Sequence, residues 1–142
     1  MYIYIVPKDK TMKTTPNYTG YGWAGSKFDD NLTTTEIAKL LRTKIRKTEA
    51  FKGFKISVTS EYFSMGSAIN VRVTQIPDGF IIKNPDYDEM DNRSRRRTDN
   101  ANALIEILES MGNSYRRDDS DGQIDYFDTN FYLHVGYDYT ID

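Results

Sequence analysis

The residues best suited to bind a charged ligand are Lys and Arg side chains in two short segments. The first segment places three cations on one face of a predicted helix, and the second places four in a predicted loop: Lys39, Arg42 and Arg46, then Arg93, Arg95, Arg96 and Arg97. Cations placed side by side bind phosphate groups with an affinity that falls as salt rises. The pattern therefore indicates nucleic-acid binding, and a solvated helix face is the simpler alternative. A sequence pI near 5.4 is low for a dedicated nucleic-acid binder.

Negatively charged residues are concentrated near the C-terminal end of the sequence, where aspartates are interspersed with tyrosines. After Arg117 the sequence has seven Asp and no Lys or Arg. Carboxylates along a surface can imitate a phosphate backbone, and tyrosine rings are common anchors of protein interfaces. With aromatic residues of an N-terminal arm, they predict a surface that fits the basic groove of a nucleic-acid enzyme: Tyr18, Tyr21, Trp23, Asp118, Asp119, Asp121, Tyr126 and Asp128. The alternative is a polar strand edge followed by a solvated tail.

Residues 20–25 read Gly-Tyr-Gly-Trp-Ala-Gly and match the G-x-G-x-x-G pattern of dinucleotide-binding proteins. In those proteins the motif joins the end of a strand directly to a helix, whose N-terminus meets the pyrophosphate. Here the preceding predicted strand ends at Pro7, and the next helix begins after Thr33. We therefore interpret the motif as a glycine- and aromatic-rich contact loop.

Metal binding and catalysis have little support in the sequence. The aspartates at positions 118, 119, 121 and 125 fail the EF-hand spacing, because Arg117 would hold the first ligand position if Gly122 were the loop glycine. His134 is the single histidine, and the chain has no cysteine. One histidine cannot form a paired-histidine metal site, and no thiolate is available as ligand or nucleophile. The sequence therefore predicts no catalytic residue, no metal, no cofactor and a non-enzymatic protein.

The composition is that of a folded chain with an uneven charge. The chain has 142 residues, of which 13% are aromatic, a share that argues against disorder. Residues 1–97 contain 17 Lys or Arg and 11 Asp or Glu, a balance of +6, whereas residues 98–142 contain 2 and 10, a balance of −8. No apolar run approaches a membrane span, and no basic signal-peptide prefix is visible. We expect a soluble protein of the cytoplasm.

Two helices and several strands must position these side chains. Thr33 and Glu36 form a capping box, and helical periodicity then predicts a first helix to about residue 50. A second helix is predicted from about residue 99 to a left-handed stop at Gly112-Asn113. Strands are predicted over residues 1–6, 54–59, 69–74 and 131–139, with a further short strand over residues 80–83.

The two middle strands predict a hairpin with a connector over residues 60–67. Each of them has one apolar and one polar face, as in an antiparallel sheet that is covered on one side. We therefore predict an α+β fold with a single antiparallel sheet and both helices on its apolar face, in the order β-α-β-β-α-β. No aromatic residue occurs at the predicted outward positions, which argues against an RRM-like RNA-binding sheet: Lys55, Ser57, Thr59, Asn70, Arg72 and Thr74.

Several segments carry a family resemblance, namely residues 34–42, 51–58, 62–71 and 121–125 and the aromatic strand that follows. They resemble the large polyvalent protein-associated domain, type 29, over roughly residues 32–140. The sequence departs from the family at residues 50–52, where the family has a Phe-Pro pair, and at Met65, where it has a second glycine. Residues 73–79 likewise replace a Trp-Thr-Asp-Gly-Pro turn.

The resemblance implies a protein of a phage or another mobile element, a group suspected of acting against host defences or on the element's own nucleic acid. It supplies no catalytic residues. We expect one domain over residues 1–142, in which residues 1–31 add a strand and a contact loop to a core of residues 32–140. Our first hypothesis is an anti-CRISPR-like inhibitor that binds a bacterial defence nuclease, with an oligomeric state left open. The second is a nucleic-acid-binding accessory protein that uses the cations named above.

Overall fold

The structure is a computed structural model that describes residues 17–87 and 96–142, so the strand predicted over residues 1–6 lies outside the described residues. The elements form an α+β fold, as predicted. In chain order they are β1 (Trp23–Ala24), α1 (Thr34–Lys47), a 3₁₀ turn (Glu49–Phe51), β2 (Lys55–Phe63), β3 (Gly66–Gln75), α2 (Asp99–Asn113), β4 (Arg117–Asp118), a second 3₁₀ turn (Gly122–Ile124) and β5 (Tyr132–Tyr137).

Helix α1 begins at the capping box that the sequence predicts. Thr33 Oγ1 accepts a hydrogen bond from Glu36 N at 3.1 Å, and Glu36 Oε1 accepts one from Thr33 N at 2.8 Å. These bonds favour the charged carboxylate and hold the pKa of Glu36 below its usual range. The helix ends at Lys47 rather than near residue 50, because Thr48 becomes extended and its N–H bonds back to Ile45 O.

The predicted hairpin is present, and its strands are longer than expected. Strands β2 and β3 pair antiparallel from Lys55↔Gln75 to Phe63↔Gly66, so that residues 64 and 65 alone form the turn. Most of the predicted connector therefore belongs to the sheet. Aromatic residues favour strands, and Tyr62 and Phe63 extend β2 to the turn.

The prediction of a single antiparallel sheet is wrong in two respects. First, β5 pairs with β3 in parallel, from Ala68↔Tyr132 to Val73↔Tyr137, which gives a mixed sheet of order β2-β3-β5. One helix between two strands returns the chain to the end where the first strand began, so α2 makes β5 run parallel to β3. Second, β1 and β4 form a separate two-stranded antiparallel ribbon.

Helix α2 begins after Thr98, whose hydroxyl caps the helix by accepting a backbone hydrogen bond at 3.1 Å. The predicted left-handed stop at Gly112-Asn113 is wrong, because the helix includes both residues and Ser114 caps it in the right-handed conformation. Gly112 instead permits a close approach to the sheet. A β-carbon at this position would lie 2.6 Å from Leu133 Cδ2 of β5.

Both helices pack on one face of the mixed sheet, as predicted. Tyr137 of β5 reaches across this interface and donates a hydrogen bond from Oη to Ala101 O of α2 at 2.7 Å. Burial raises the pKa of Tyr137 to about 12. The core between the layers is formed by residues of α1, α2 and the sheet: Ile37, Leu41, Ile45, Ala101, Leu104, Leu108, Val58, Ile69, Val71, Val73 and Tyr137.

The segment between β3 and α2 contains less strand than the sequence predicts. The strand predicted over residues 80–83 is reduced to one bridge between Lys83 and Arg97. Among the described residues, no helix is both long and apolar enough to span a membrane.

The outer face of the mixed sheet is open and carries aromatic side chains. Tyr132 pairs with Ala68 of β3, which places its ring on the same face as Phe63 of β2. The two rings stack with centroids 6.3 Å apart. The prediction of an outer face without aromatic residues is therefore wrong, because β2 runs past the residue at which the sequence-based strand stops.

Candidate partner-binding surface

A short β-ribbon joins the N-terminal arm to the acidic end of the chain. Strands β1 and β4 pair through Trp23↔Asp118 and Ala24↔Arg117. The next residue, Gly25, lies against the C-terminal end of α2, and a β-carbon there would overlap its backbone. The last glycine of the G-x-G-x-x-G motif thus allows two backbones to meet, and the motif leads into a turn rather than into a helix.

Asp119, which directly follows β4, holds the part of the arm that precedes β1. Its carboxylate accepts hydrogen bonds from Tyr18 N at 2.6 Å, Thr19 N at 3.1 Å and Thr19 Oγ1 at 2.6 Å. The side chain is fully buried, at 0% exposure. Burial raises the pKa of this carboxyl, but the bonds from Thr19 and Tyr18 outweigh burial, so the pKa of Asp119 lies below its usual range. The structure gives Asp119 an internal role, out of reach of a partner.

Two further aspartates of the predicted surface are neutralised within the fold. Arg116 Nη2 contacts Asp118 Oδ2 at 2.7 Å, and Arg117 Nη2 contacts Asp128 Oδ1 at 2.8 Å. The Arg116 guanidinium also lies 5.5 Å from the centre of the Trp23 ring. These pairs stabilise the ribbon, and they leave little net charge on it for a partner.

The acidic turn after β4 is a compact loop closed by its own backbone. Asp121 N donates to Tyr126 O at 2.7 Å, and Tyr126 N donates to Asp121 O at 3.0 Å. The Asp121 carboxylate accepts a hydrogen bond from Gln123 N at 3.0 Å, which caps the second 3₁₀ turn. Tyr126 in turn contacts Tyr18 of the arm, with ring centroids 4.9 Å apart. Burial, followed by the nearby carboxylates of Asp128 and Asp119, raises the pKa of Tyr126.

The structure therefore brings the predicted aromatic arm and the predicted acidic turn together. The arm and the turn together carry six exposed or half-buried apolar side chains, and we call this region the arm–turn surface: Tyr18, Tyr21, Trp23, Ile124, Tyr126 and Phe127. Tyr18 is 74% exposed, Tyr21 is 71% exposed and Phe127 is 60% exposed. Sequence reasoning missed Ile124 and Phe127. The available signal was a pair of apolar residues within a polar turn, where no core requires them.

Two carboxylates without an ion-pair partner among the described residues lie in the acidic turn beside these side chains. Asp121 and Asp125 belong to the acidic turn, and neither forms an ion pair with residues 17–87 or 96–142. Asp125 is exposed and adopts a left-handed conformation, with φ of 55°. The negative charge of the acidic turn therefore comes from these two residues, of which only Asp121 was included in the predicted partner-binding surface.

The predicted basic helix stripe is not a uniform row of exposed cations. Lys39 and Arg46 are exposed on α1. Arg42 is half-buried, and its Nη2 donates a hydrogen bond to Val58 O of β2 at 2.6 Å. Arg42 therefore ties the helix to the sheet, and two exposed cations of the stripe remain.

The predicted arginine cluster is partly paired with an acidic residue. Arg96 Nη1 and Arg97 Nη2 contact the Asp142 carboxylate at 2.7 and 2.8 Å. The hydrogen bonds from both arginines outweigh burial and hold the pKa of Asp142 below its usual range. Arg97 also lies over the Tyr137 ring at 5.2 Å. The other two predicted cations lie outside the described residues, namely Arg93 and Arg95.

His134 lies on the open outer face of β5, where it pairs in register with Asn70. Its side chain is exposed. Within the described part of the chain, no three His, Asp or Glu side chains are grouped closely enough to hold a metal ion.

Comparison with known protein families identifies a matching family profile. The profile of the large polyvalent protein associated domain 29 matches residues 32–137. Among curated proteins and among solved structures, no match is found. The matched span begins just before α1 and ends with β5, so it includes both helices, the mixed sheet and the acidic turn.

Proposed function

Because the chain belongs to the large polyvalent protein associated domain 29 family, whose members come from phages and other mobile elements, we propose that it is an anti-defence protein. It inhibits a bacterial nuclease complex, such as a CRISPR effector, by direct binding. The inhibition is stoichiometric and involves no catalysis by this chain. The observation that carries the proposal is the arm–turn surface.

This surface has the composition of a protein interface. Tyrosine and tryptophan are enriched at the energetically dominant positions of interfaces, and exposed apolar clusters often mark binding sites. Here Tyr21, Ile124 and Phe127 expose more than half of their surface. A partner that covers these side chains would remove apolar surface from water, which favours association.

The surface is also held in place before any partner arrives. The arm is fixed by the ribbon and by the hydrogen bonds to Asp119, and Tyr18 packs on Tyr126. A prearranged surface loses less conformational entropy on binding than a flexible loop does. We therefore assign Asp119 a supporting role, and we assign contact with the partner to the exposed aromatic residues.

The charge at the edge of the surface suits a nuclease that holds nucleic acid in a positively charged channel. Asp121 and Asp125 supply carboxylates beside the aromatic cluster. On such a target, these carboxylates would pair with Lys or Arg at the channel rim while the rings cover the adjacent surface. Nucleic acid would then be excluded from the channel. Complementary charge also speeds association.

The test measures inhibition of a panel of purified defence nucleases, including several CRISPR effectors, with equimolar amounts of this protein. For the nuclease that is inhibited, Tyr21→Ser with Phe127→Ser should weaken inhibition at least about tenfold, because interface anchors contribute about 2 kcal/mol or more. Asp121→Lys with Asp125→Lys should slow association. The controls change exposed residues elsewhere, namely Tyr139→Ser and Asp78→Lys with Asp86→Lys.

The proposal fails if no nuclease of the panel is inhibited. It also fails if the arm–turn variants inhibit as strongly as the controls do. In the second case the inhibitor uses another face, and the arm–turn surface has no part in it.

A further inference from the structure

A pocket of about 610 Å³ lies at the C-terminal end of α1, between the helix end and the beginning of β2. This volume is in the range of small-molecule sites, which span about 300–1,000 Å³. The apolar part of its lining comes from α1, the first 3₁₀ turn, the connector that follows it and β2: Ile45, Phe51, Phe54 and Ile56. Four cations and one carboxylate also line it: Arg46, Lys47, Lys52, Lys55 and Glu49.

The positive charge of this pocket is not balanced within the described chain. Lys52 Nζ lies 3.9 Å from Glu49 Oε2, and both side chains are largely exposed, so the pair contributes little. The other three cations form no ion pair with residues 17–87 or 96–142. Cations favour a helix C-terminus because of its partial negative charge, which accounts for Arg46 and Lys47. That effect does not extend to Lys52 and Lys55, which follow the helix.

Lys55 lines the pocket and is also the first outward residue of β2, so the open outer face of the sheet begins at the edge of this pocket. Beyond Lys55, the outward residue Ser57 pairs with Arg72, whose side chain is exposed. At the far end of β2, the ring of Phe63 is 44% exposed and stacks on Tyr132. At about 3.3 Å per residue, the distance from Ser57 to Phe63 is about 20 Å. A cationic pocket and an exposed aromatic pair thus lie along one strand.

We infer that the pocket and this outer face together bind single-stranded nucleic acid. The cations of the pocket contact backbone phosphates, and the Phe63–Tyr132 pair stacks with a base. Grooves that combine cations with aromatic platforms are the common design of proteins that bind single strands. A free nucleotide offers the same phosphate chemistry, but it is too short to reach both the pocket and the aromatic pair.

The pocket is separate from the arm–turn surface, whereas the Phe63–Tyr132 pair lies at the other end of β2. The N-terminal end of α1 lies beside the segment that leads into β5, because Thr34 Oγ1 bonds to Ser67 Oγ at 2.6 Å and Ser67 Oγ donates to Asn130 O at 3.3 Å. The pocket lies at the other end of this 14-residue helix, about 21 Å away. The pocket variants therefore test binding of nucleic acid without changing the arm–turn surface on which the proposed nuclease inhibition rests.

The experiment measures fluorescence anisotropy of a labelled oligothymidylate of about 15 nucleotides, within the usual range of single-strand sites, titrated with the full chain. The titration is repeated across a salt series. Lys52→Gln with Lys55→Gln should weaken binding about tenfold and reduce the slope of log affinity against log salt by about 1.4. The matched control, Lys39→Gln with Lys83→Gln, removes the same charge from exposed positions outside the pocket and should change affinity less than about twofold.

A second pair of variants tests the aromatic platform. Phe63→Leu should weaken binding at least about fivefold, and Phe63→Tyr should retain it, because stacking on an aromatic ring contributes about 1–3 kcal/mol per base. The inference is overturned if the oligothymidylate does not bind at low salt, or if the Lys39 and Lys83 control loses as much affinity as the pocket variant. It is also overturned if Phe63→Leu binds as wild type, or if ATP competes at the same concentration as unlabelled oligothymidylate.

Discussion

At the scale of single residues, Asp119 is the best example of a side chain whose role depends on its surroundings. A buried carboxylate is costly unless hydrogen bonds replace its water. The N–H groups of Tyr18 and Thr19 and the Thr19 hydroxyl replace that water here. The negative charge is thus used to order the arm. The same residue in an exposed turn would have been a candidate for contact with a partner, as its sequence neighbours suggest.

Replacement of this residue should loosen the arm. Asp119→Asn places an amide group where one carboxylate oxygen accepts a backbone N–H, so a donor would face a donor. We expect a melting temperature several degrees lower and new chymotrypsin cleavage after Tyr18 or Tyr21. Asp138→Asn serves as the control, because its side chain anchors no arm. An Asp119→Asn protein with the stability and protease resistance of this control would contradict the role given to Asp119.

At the scale of elements, the contact between α2 and β5 depends on a glycine. Gly112→Ala adds a β-carbon that would lie 2.6 and 2.8 Å from the two Cδ atoms of Leu133. Overpacking of this kind typically costs about 1–3 kcal/mol, whereas alanine is favoured over glycine in a helix by about 1 kcal/mol. We expect Gly112→Ala to destabilise the protein on its own.

The same substitution should become favourable when Leu133 is shortened. In a Leu133→Ala background the clash is removed, so Gly112→Ala should raise stability by up to about 1 kcal/mol through helix propensity. The measurement is a double-mutant cycle by urea unfolding. Additive effects of the two substitutions would show that the helix and the strand do not meet at this point.

The elements themselves were largely predictable, and their pairing was less so. The capping box of α1 and the alternation in β2 and β3 are local signals, so both helices and the hairpin were identified from sequence. The direction of β5 depends on how α2 crosses the sheet, which alternation within β5 does not report. Strand β1 has two residues and forms through its pairing with β4. So short a strand has no periodicity that could reveal it.

For the candidate surface too, the local segments were predictable from sequence and their contacts in the fold were not. The aromatic arm and the acidic turn were identified separately, because composition marks each of them. The contact between them, through Tyr18 and Tyr126, is a tertiary contact, which the composition of either segment does not predict. The internal ion pairs of Asp118 and Asp128 also depend on the fold, since their arginine partners could equally have faced solvent. Sequence reasoning therefore located the region but overestimated its available charge.

At the scale of the whole molecule, the titrating groups predict a broad range of pH stability. The pKa values of Asp119 and Asp142 are lowered from 3.8, so these groups contribute stability above about pH 4 that is lost as pH falls through their folded-state values. The pKa of Tyr137 is raised from 10.0 to about 12, so it contributes stability below about pH 10 that is lost as pH rises towards 12.

Urea unfolding across pH should therefore give a plateau between about pH 5 and 10, with a decline on each side. Tyr137→Phe should reduce the alkaline decline, since phenylalanine has no proton to lose, and should lower the plateau by removal of the hydrogen bond to Ala101 O. An alkaline decline that is unchanged in Tyr137→Phe would assign it to other groups.

The bonds between the arm and Asp119 join residues that lie 100 and 101 positions apart in the chain. During synthesis, a ribosome releases Tyr18 and Thr19 about 100 residues before their acceptor, so both must remain unbonded to it while the helices and the hairpin are made. The arm–turn surface is therefore completed only after Asp119 has left the ribosome. Translation products that stop before Asp119 would contain the aromatic arm without the partner that orders it. The surface thus distinguishes a chain that extends past Asp119 from one that stops before it.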